Sequence, residues 1–122
     1  MSEDRSGTPI AAPAPGGARA GLTAMTKVEV VVRSGDTPVV ADLLRNAGVS
    51  GYTSLSAVSG FGHHGYHHGR LLFNDTDALS LVIAVMPHER SEAVLAGLRE
   101  LFCDRSGVMF VSDTYVSRPD YF

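Results

Sequence analysis

The 122-residue chain has no tryptophan and a single cysteine, Cys103. One thiol excludes an internal disulfide framework, and a reducing, cytoplasmic setting is the expectation. Cationic side chains are in deficit: Lys and Arg number 10 against 13 Asp and Glu, a formal charge of -3. Phosphodiester backbones are neutralised by basic patches or stripes, so nucleic acid is not an expected partner. No apolar run approaches the roughly 20 residues that cross a bilayer as a helix, so membrane insertion is not expected either. Large apolar residues are almost missing from Met1 to Ala24, where Ala, Gly, Pro, Ser and Thr dominate. Such a stretch buries too little surface to offset its ordering entropy. Its opening, Ser2-Glu3-Asp4, is acidic and no apolar segment follows, unlike a secretory signal. Residues 1–25 are therefore expected to form a disordered extension, and residues 26–122 one domain. Catalytic motifs are also lacking. There is no nucleophile elbow, no phosphate-binding Gly-Lys-Ser/Thr loop and no spaced carboxylate pair. No catalytic residue is assigned, and the chain is not expected to be an enzyme.

What is present is a patterned core: hydrophobic residues make up 44% of the chain. Lys27–Arg33 alternates Val28, Val30 and Val32 with Lys27, Glu29, Val31 and Arg33, the period of a half-buried strand. A helix follows, capped by Asp36 or Thr37, with Pro38 in its first turn and Val40, Leu43, Leu44 and Ala47 on one face. Gly48 suits its left-handed end. A second strand covers Tyr52–Ser59, and Gly60-Phe61-Gly62 opens a polar loop reaching about Asp77. A third strand, Ala78–Met86, is apolar on both faces and so expected to be central. Pro87 ends it. A second helix runs from about His88 to Phe102, with Val94, Leu95, Leu98, Leu101 and Phe102 on one side. Cys103–Gly107 turns into a last strand, Val108–Val116.

The order β-α-β-β-α-β is the ferredoxin-like, split βαβ arrangement: an α+β sandwich with two helices on one face of a four-stranded antiparallel sheet. The other face is then bare. It is expected to carry Ala78, Ser80, Val82 and Ala84 from the third strand, too apolar for water. A cyclic homo-oligomer would cover it. Cys103 is expected to be a small core residue, and Asp42, Asp104 and Asp113 surface or turn residues.

Four segments together resemble PII, the trimeric nucleotide-binding signalling family. They are Lys27-Val28-Glu29-Val30-Val31-Val32-Arg33, Gly48-Val49-Ser50-Gly51-Tyr52-Thr53, Gly60-Phe61-Gly62, and Ser106-Gly107-Val108-Met109-Phe110-Val111. Each is weak alone, but they occur in the family's order on the corresponding elements. The resemblance covers about Thr26 to Arg118. It implies a homotrimer with an adenine nucleotide between subunits and no prosthetic group. Gly51, Thr53, Gly60, Phe61 and Gly62 would hold base and ribose. Arg105, Ser106 and Gly107 would form the phosphate loop, with Arg118 reaching a neighbour's phosphates. The chemistry suits the residues: turn N–H groups and guanidinium donors both bind phosphate.

The departures from the family are informative. The loop after Gly62 has about 15 residues, His63 to Asp77, shorter than the family's T-loop. It contains Tyr66 without the family's uridylylation context, and Tyr66 reads as a loop anchor. His63-His64 replaces the glutamine that helps PII proteins bind Mg and 2-oxoglutarate, so sensing of that kind is not expected. Val108 replaces the phosphate-loop lysine, which predicts ADP or AMP over ATP. The chain is most similar to the carboxysome-associated PII-like proteins. That implies bicarbonate as a second ligand and a transporter or enzyme as the target of loop 63–77. The rival reading uses His63, His64, His67 and His68, four histidines in six residues. Imidazole is a common ligand for zinc, copper and nickel, so a CutA-like trimer binding divalent metal is the alternative. No metal-binding residue is assigned, and His63 and His64 are placed with the nucleotide site.

Overall fold

The computed structural model describes residues 18–59 and 78–122. Its strands are β1 Ala18–Arg19, β2 Leu22–Arg33, β3 Thr53–Val58, β4 Leu79–Met86 and β5 Gly107–Val116; its helices are α1 Thr37–Asn46 and α2 His88–Leu101. Short 3-10 turns, Ser34–Asp36 and Pro119–Tyr121, precede α1 and end the chain. β2 pairs antiparallel with β4 on one side and β5 on the other, and β3 pairs with the outer edge of β4. The four main strands therefore run β3-β4-β2-β5, with β3 and β5 at the edges. The expected βαββαβ order and ferredoxin-like sandwich are what the chain adopts.

The helices cover the face carrying Val28, Val30 and Val32 of β2 and Val82, Ala84 and Met86 of β4, all buried. Val40 and Leu44 of α1 and Val94 and Leu98 of α2 complete that core. Full burial of each Val or Leu contributes about 1.5–3 kcal/mol, so this layer dominates the stability. The expected assignment of faces on β4 is corrected here. Ser80, Val82 and Ala84 lie under the helices, while Leu81, Ile83 and Val85 occupy the open face. Both parities of β4 are apolar, so alternation alone cannot orient it; its register with β2 does, pairing Val82 with Val30 and Ala84 with Val28. The buried Ser80 hydroxyl is satisfied by Ser34 Oγ at 2.8 Å.

The open face carries one apolar row across all four strands. Leu55 lies opposite Leu81, Leu81 opposite Val31, and Val31 opposite Val108. Phe110, in the next row, is 58% exposed. Glu29 lies in that second row, between Ile83 and Phe110, and forms a 4.0 Å ion pair with Lys27.

The amino-terminal boundary is also corrected. β2 begins at Leu22, not Lys27, and Met25 is buried at 5% exposure. β1 pairs Ala18 with Thr23 and Arg19 with Leu22, so Ala20-Gly21 forms a two-residue hairpin turn. Both turn residues have positive φ, 52° and 81°, the geometry that matches the twist of paired strands. Thr23 pairs with both Ala18 and Val116, so β1 and β5 flank β2 on opposite sides. The small residues that suggested disorder for 18–25 are those that a tight hairpin accepts. The rest of the expected extension, 1–17, lies outside the described residues.

Gly48 ends α1 as expected, with φ 85°. Its N–H donates to Arg45 O at 3.0 Å and that of Val49 to Leu44 O at 3.0 Å. This is the Schellman arrangement, in which a left-handed glycine satisfies the last carbonyls. The expected side-chain cap at the other end is absent. Neither Asp36 nor Thr37 caps α1, and the buried Thr37 hydroxyl has no partner among the described residues.

β3 contains a bulge between Ser56 and Val58, where Ala57 takes φ 60°. A left-handed alanine costs about 1–2 kcal/mol. Ala57→Gly is expected to raise stability by about 1 kcal/mol, read as a higher midpoint in chemical denaturation. A lower midpoint would contradict the left-handed bulge.

Candidate functional site

The turn that ends α1 delivers one half of the candidate site. Val49 is buried in the core, and the chain then surfaces through Ser50, Gly51 and Tyr52 to the exposed Thr53. Thr53 lies opposite Ile83 and so belongs to the open face of edge strand β3. Gly60, Phe61, Gly62, His63 and His64, and the loop 63–77 with Tyr66, His67 and His68, lie outside the described residues. So does the histidine-based metal reading. Among the described residues, no group of three or more His, Cys, Asp or Glu side chains could hold a metal ion.

The second half sits on the opposite edge. α2 ends with Phe102 N–H donating to Leu98 O at 2.9 Å and Cys103 N–H donating to Glu100 O at 3.1 Å. The exposed Asp104 and Arg105 and the half-buried Ser106 lead into Gly107, the first residue of β5. Gly107 is needed for close approach: a Cβ there would stand 2.4 Å from the Phe102 ring. Arg105 Nη1 donates to Asp36 Oδ1 at 2.8 Å, tying this turn to the corner between β2 and α1. Cys103, expected in the core, is exposed, and its Sγ donates to Arg99 O at 3.4 Å. The helical register turns position 103 outward once Leu98 and Phe102 face the sheet.

Arg118 follows the far end of β5. Its Nη1 donates to Tyr121 Oη at 3.0 Å, and its guanidinium lies 5.5 Å from that ring's centroid. Ten residues of extended strand separate it from Gly107, so Arg118 and Arg105 stand roughly 30 Å apart in one chain. Gly51 and Thr53 lie three strands from Gly107, about 14 Å across the sheet. The structure thus brings Gly51 to Thr53, and Arg105 to Ser106 and Gly107. It does not bring these two sets, or Arg118, together within one chain.

Sequence reasoning missed two features of this region. Asp36 is one: its partner is 69 residues away, beyond any local pattern. The other is an open cleft of ≈ 390 Å³ between α1 and β3, lined by Ser34, Thr37, Ser54, Ser56 and Ser80. Its signal was available, since Ser54 and Ser56 occupy positions of β3 opposite Val82 and Ser80 on the helix-facing side.

Comparison with known proteins places the chain. Residues 25–121 match the family model for nitrogen regulatory protein P-II. CPII from Thiomonas intermedia K12, bound to ADP, AMP and acetate, is 38% identical, with 83% of this chain and 96% of that chain covered and a TM-score of 0.72. The same protein bound to ADP and bicarbonate is 39% identical, with the same coverage and a TM-score of 0.69. A PII-like signaling protein from Thermus thermophilus, at 19% identity, covers 83% of this chain and 97% of its own with a TM-score of 0.66, and shares the fold. No curated protein matches the sequence. The chain belongs to the P-II family of nitrogen regulatory proteins, in its PII-like form.

Proposed function

We propose that this chain binds ADP or AMP in clefts between the subunits of a homotrimer and takes bicarbonate as a second ligand. It catalyses no reaction of its own. Loop 63–77 carries the signal to a transporter or enzyme of inorganic carbon metabolism, in the cytoplasm and in association with carboxysomes. The observation that carries this reading is the separation of two half-sites onto opposite edge strands. Gly51 and Thr53 sit at β3, and Arg105, Ser106 and Gly107 sit beside β5. A ligand held by both sets has to lie between two copies of the chain. Cyclic assembly supplies that cleft and buries the apolar row Leu55, Leu81, Val31 and Val108. Gly60, Phe61, Gly62, His63 and His64 complete the base side, and Arg118 reaches a neighbouring subunit's phosphates.

The ligand choice has two supports. CPII, the relative at 38–39% identity, holds ADP with AMP and acetate in one structure and ADP with bicarbonate in another. In this chain Val108 stands where the family carries a lysine, and the loss of one ammonium weakens a triphosphate most. Calorimetry with AMP, ADP and ATP, with and without bicarbonate, in metal-free buffer tests the reading. ADP or AMP is expected to bind at roughly micromolar Kd, one per subunit, and more tightly with bicarbonate. ATP binding tenfold or more above both others would contradict the argument from Val108. Silence with every nucleotide, together with tight binding of zinc or copper, would replace this reading by the histidine-loop metal site.

A further inference from the structure

The phosphate turn already holds an anion. Arg105 Nη1 donates to Asp36 Oδ1 at 2.8 Å, between side chains that are 43% and 19% exposed. Asp36 stands at the start of α1, where an aspartate ordinarily accepts a bond from the helix's own N–H groups. It makes no such bond. Its carboxylate is turned toward a guanidinium 69 residues away in sequence. The contrast is Asp42 and Arg45, neighbours on the exposed side of one helix, where an ion pair is an ordinary surface contact.

This geometry bears on what Arg105 can bind. A guanidinium has five N–H donors, so a phosphate can share it with a carboxylate. The shared arrangement sets phosphate oxygens beside a carboxylate oxygen, and that repulsion grows with the charge of the ligand. The loss of the family's lysine at Val108 leaves less cationic charge to offset it. We infer that Asp36 is a charge-selectivity residue: it occupies Arg105 in the empty protein and disfavours adenine nucleotides in proportion to their phosphate charge. The inference rests on the nucleotide reading above and adds a residue to it that the family resemblance does not mark.

The test is a calorimetric double-variant cycle on the full chain, with adenosine, AMP, ADP and ATP as titrants. Asp36→Asn keeps a good helix-starting residue, and Asp36→Ser offers a second one should the amide disturb folding. Asp36→Asn is expected to tighten ATP about tenfold and ADP about threefold, with adenosine changed less than about twofold. In the Arg105→Ala background the gain is expected to vanish. Wild type and Asp36→Asn binding ATP equally, or a gain that persists without Arg105, would overturn the inference and leave the nucleotide reading standing. A wild type silent to ATP beside an Asp36→Asn variant that binds it would support the inference in its strongest form. Silence in every variant with every nucleotide would overturn both.

Discussion

Val82→Asp is expected to abolish folding, whereas Leu81→Asp, one residue earlier, is expected to leave a folded chain that no longer self-associates. Val82 is buried under both helices, opposite Val30 and in one cluster with Val40, Leu44, Val94 and Leu98. None of these residues can pair with a carboxylate. Burying an unpaired charge costs several kcal/mol or forces its protonation, against a total stability of about 5–15 kcal/mol. Leu81 faces the other way, in the row with Leu55, Val31 and Val108, and is half-buried in the single chain. An aspartate there stays in water as long as the chain is alone. It becomes costly only when a second subunit covers the face, so association is lost and the fold survives. Far-UV circular dichroism separates folded from unfolded, and sedimentation velocity at matched concentrations reads the oligomer. A folded Val82→Asp beside an unfolded Leu81→Asp would mean the faces are inverted. A Leu81→Asp protein that remains trimeric would remove this face from the interface.

That pair of variants also marks where the sequence is legible. Helix ends are local, and the residues that set them speak for themselves: Pro38 in the first turn of α1, Gly48 past its end, and Pro87 before α2. Element order and the central place of β4 follow from hydrophobic period and length, which is why the fold could be assigned. The facing of β4 is different in kind. Leu79, Leu81, Ile83 and Val85 are as apolar as Ser80, Val82 and Ala84, so only pairing with β2 decides which set meets the helices. In β2 the charges Lys27 and Glu29 mark the open face, and carrying that mark across the register orients β4. The hairpin at Ala20-Gly21 escaped for the opposite reason: its residues are small and carry no hydrophobic period.

The candidate site is legible only in its backbone. Gly48-Val49-Ser50-Gly51 and Arg105-Ser106-Gly107 stand out as turn sequences with family counterparts. Contacts that close over long stretches of chain do not stand out. Asp36 meeting Arg105 is one, and the cleft formed by Ser34 with Ser54, Ser56 and Ser80 is another. Both depend on which strands become neighbours, so no window along the chain contains them.

Gly107 permits the sharpest test of what the proposed phosphate turn is built for. Gly107→Val is expected to destabilise the empty protein by about 2 kcal/mol, a fall in Tm of about 10 °C. The reason is steric. A Cβ at position 107 would lie 2.4, 2.8 and 2.9 Å from three atoms of the Phe102 ring, closer than carbon atoms tolerate. Phe102 packs against the core at the end of α2, so the ring cannot leave without giving up buried surface. The ring or the turn must move, and the N–H groups of Ser106 and Gly107 move with the turn. Nucleotide affinity is expected to fall in parallel. A glycine kept only so that phosphate can approach the backbone would behave differently, losing affinity at unchanged Tm. Phe102→Ala separates the two. If the clash is the cause, adding Phe102→Ala to Gly107→Val costs less than the two single changes combined, because the cavity from one accommodates the methyl groups of the other. Additive costs would place the Gly107 requirement elsewhere, on the ligand side of the turn.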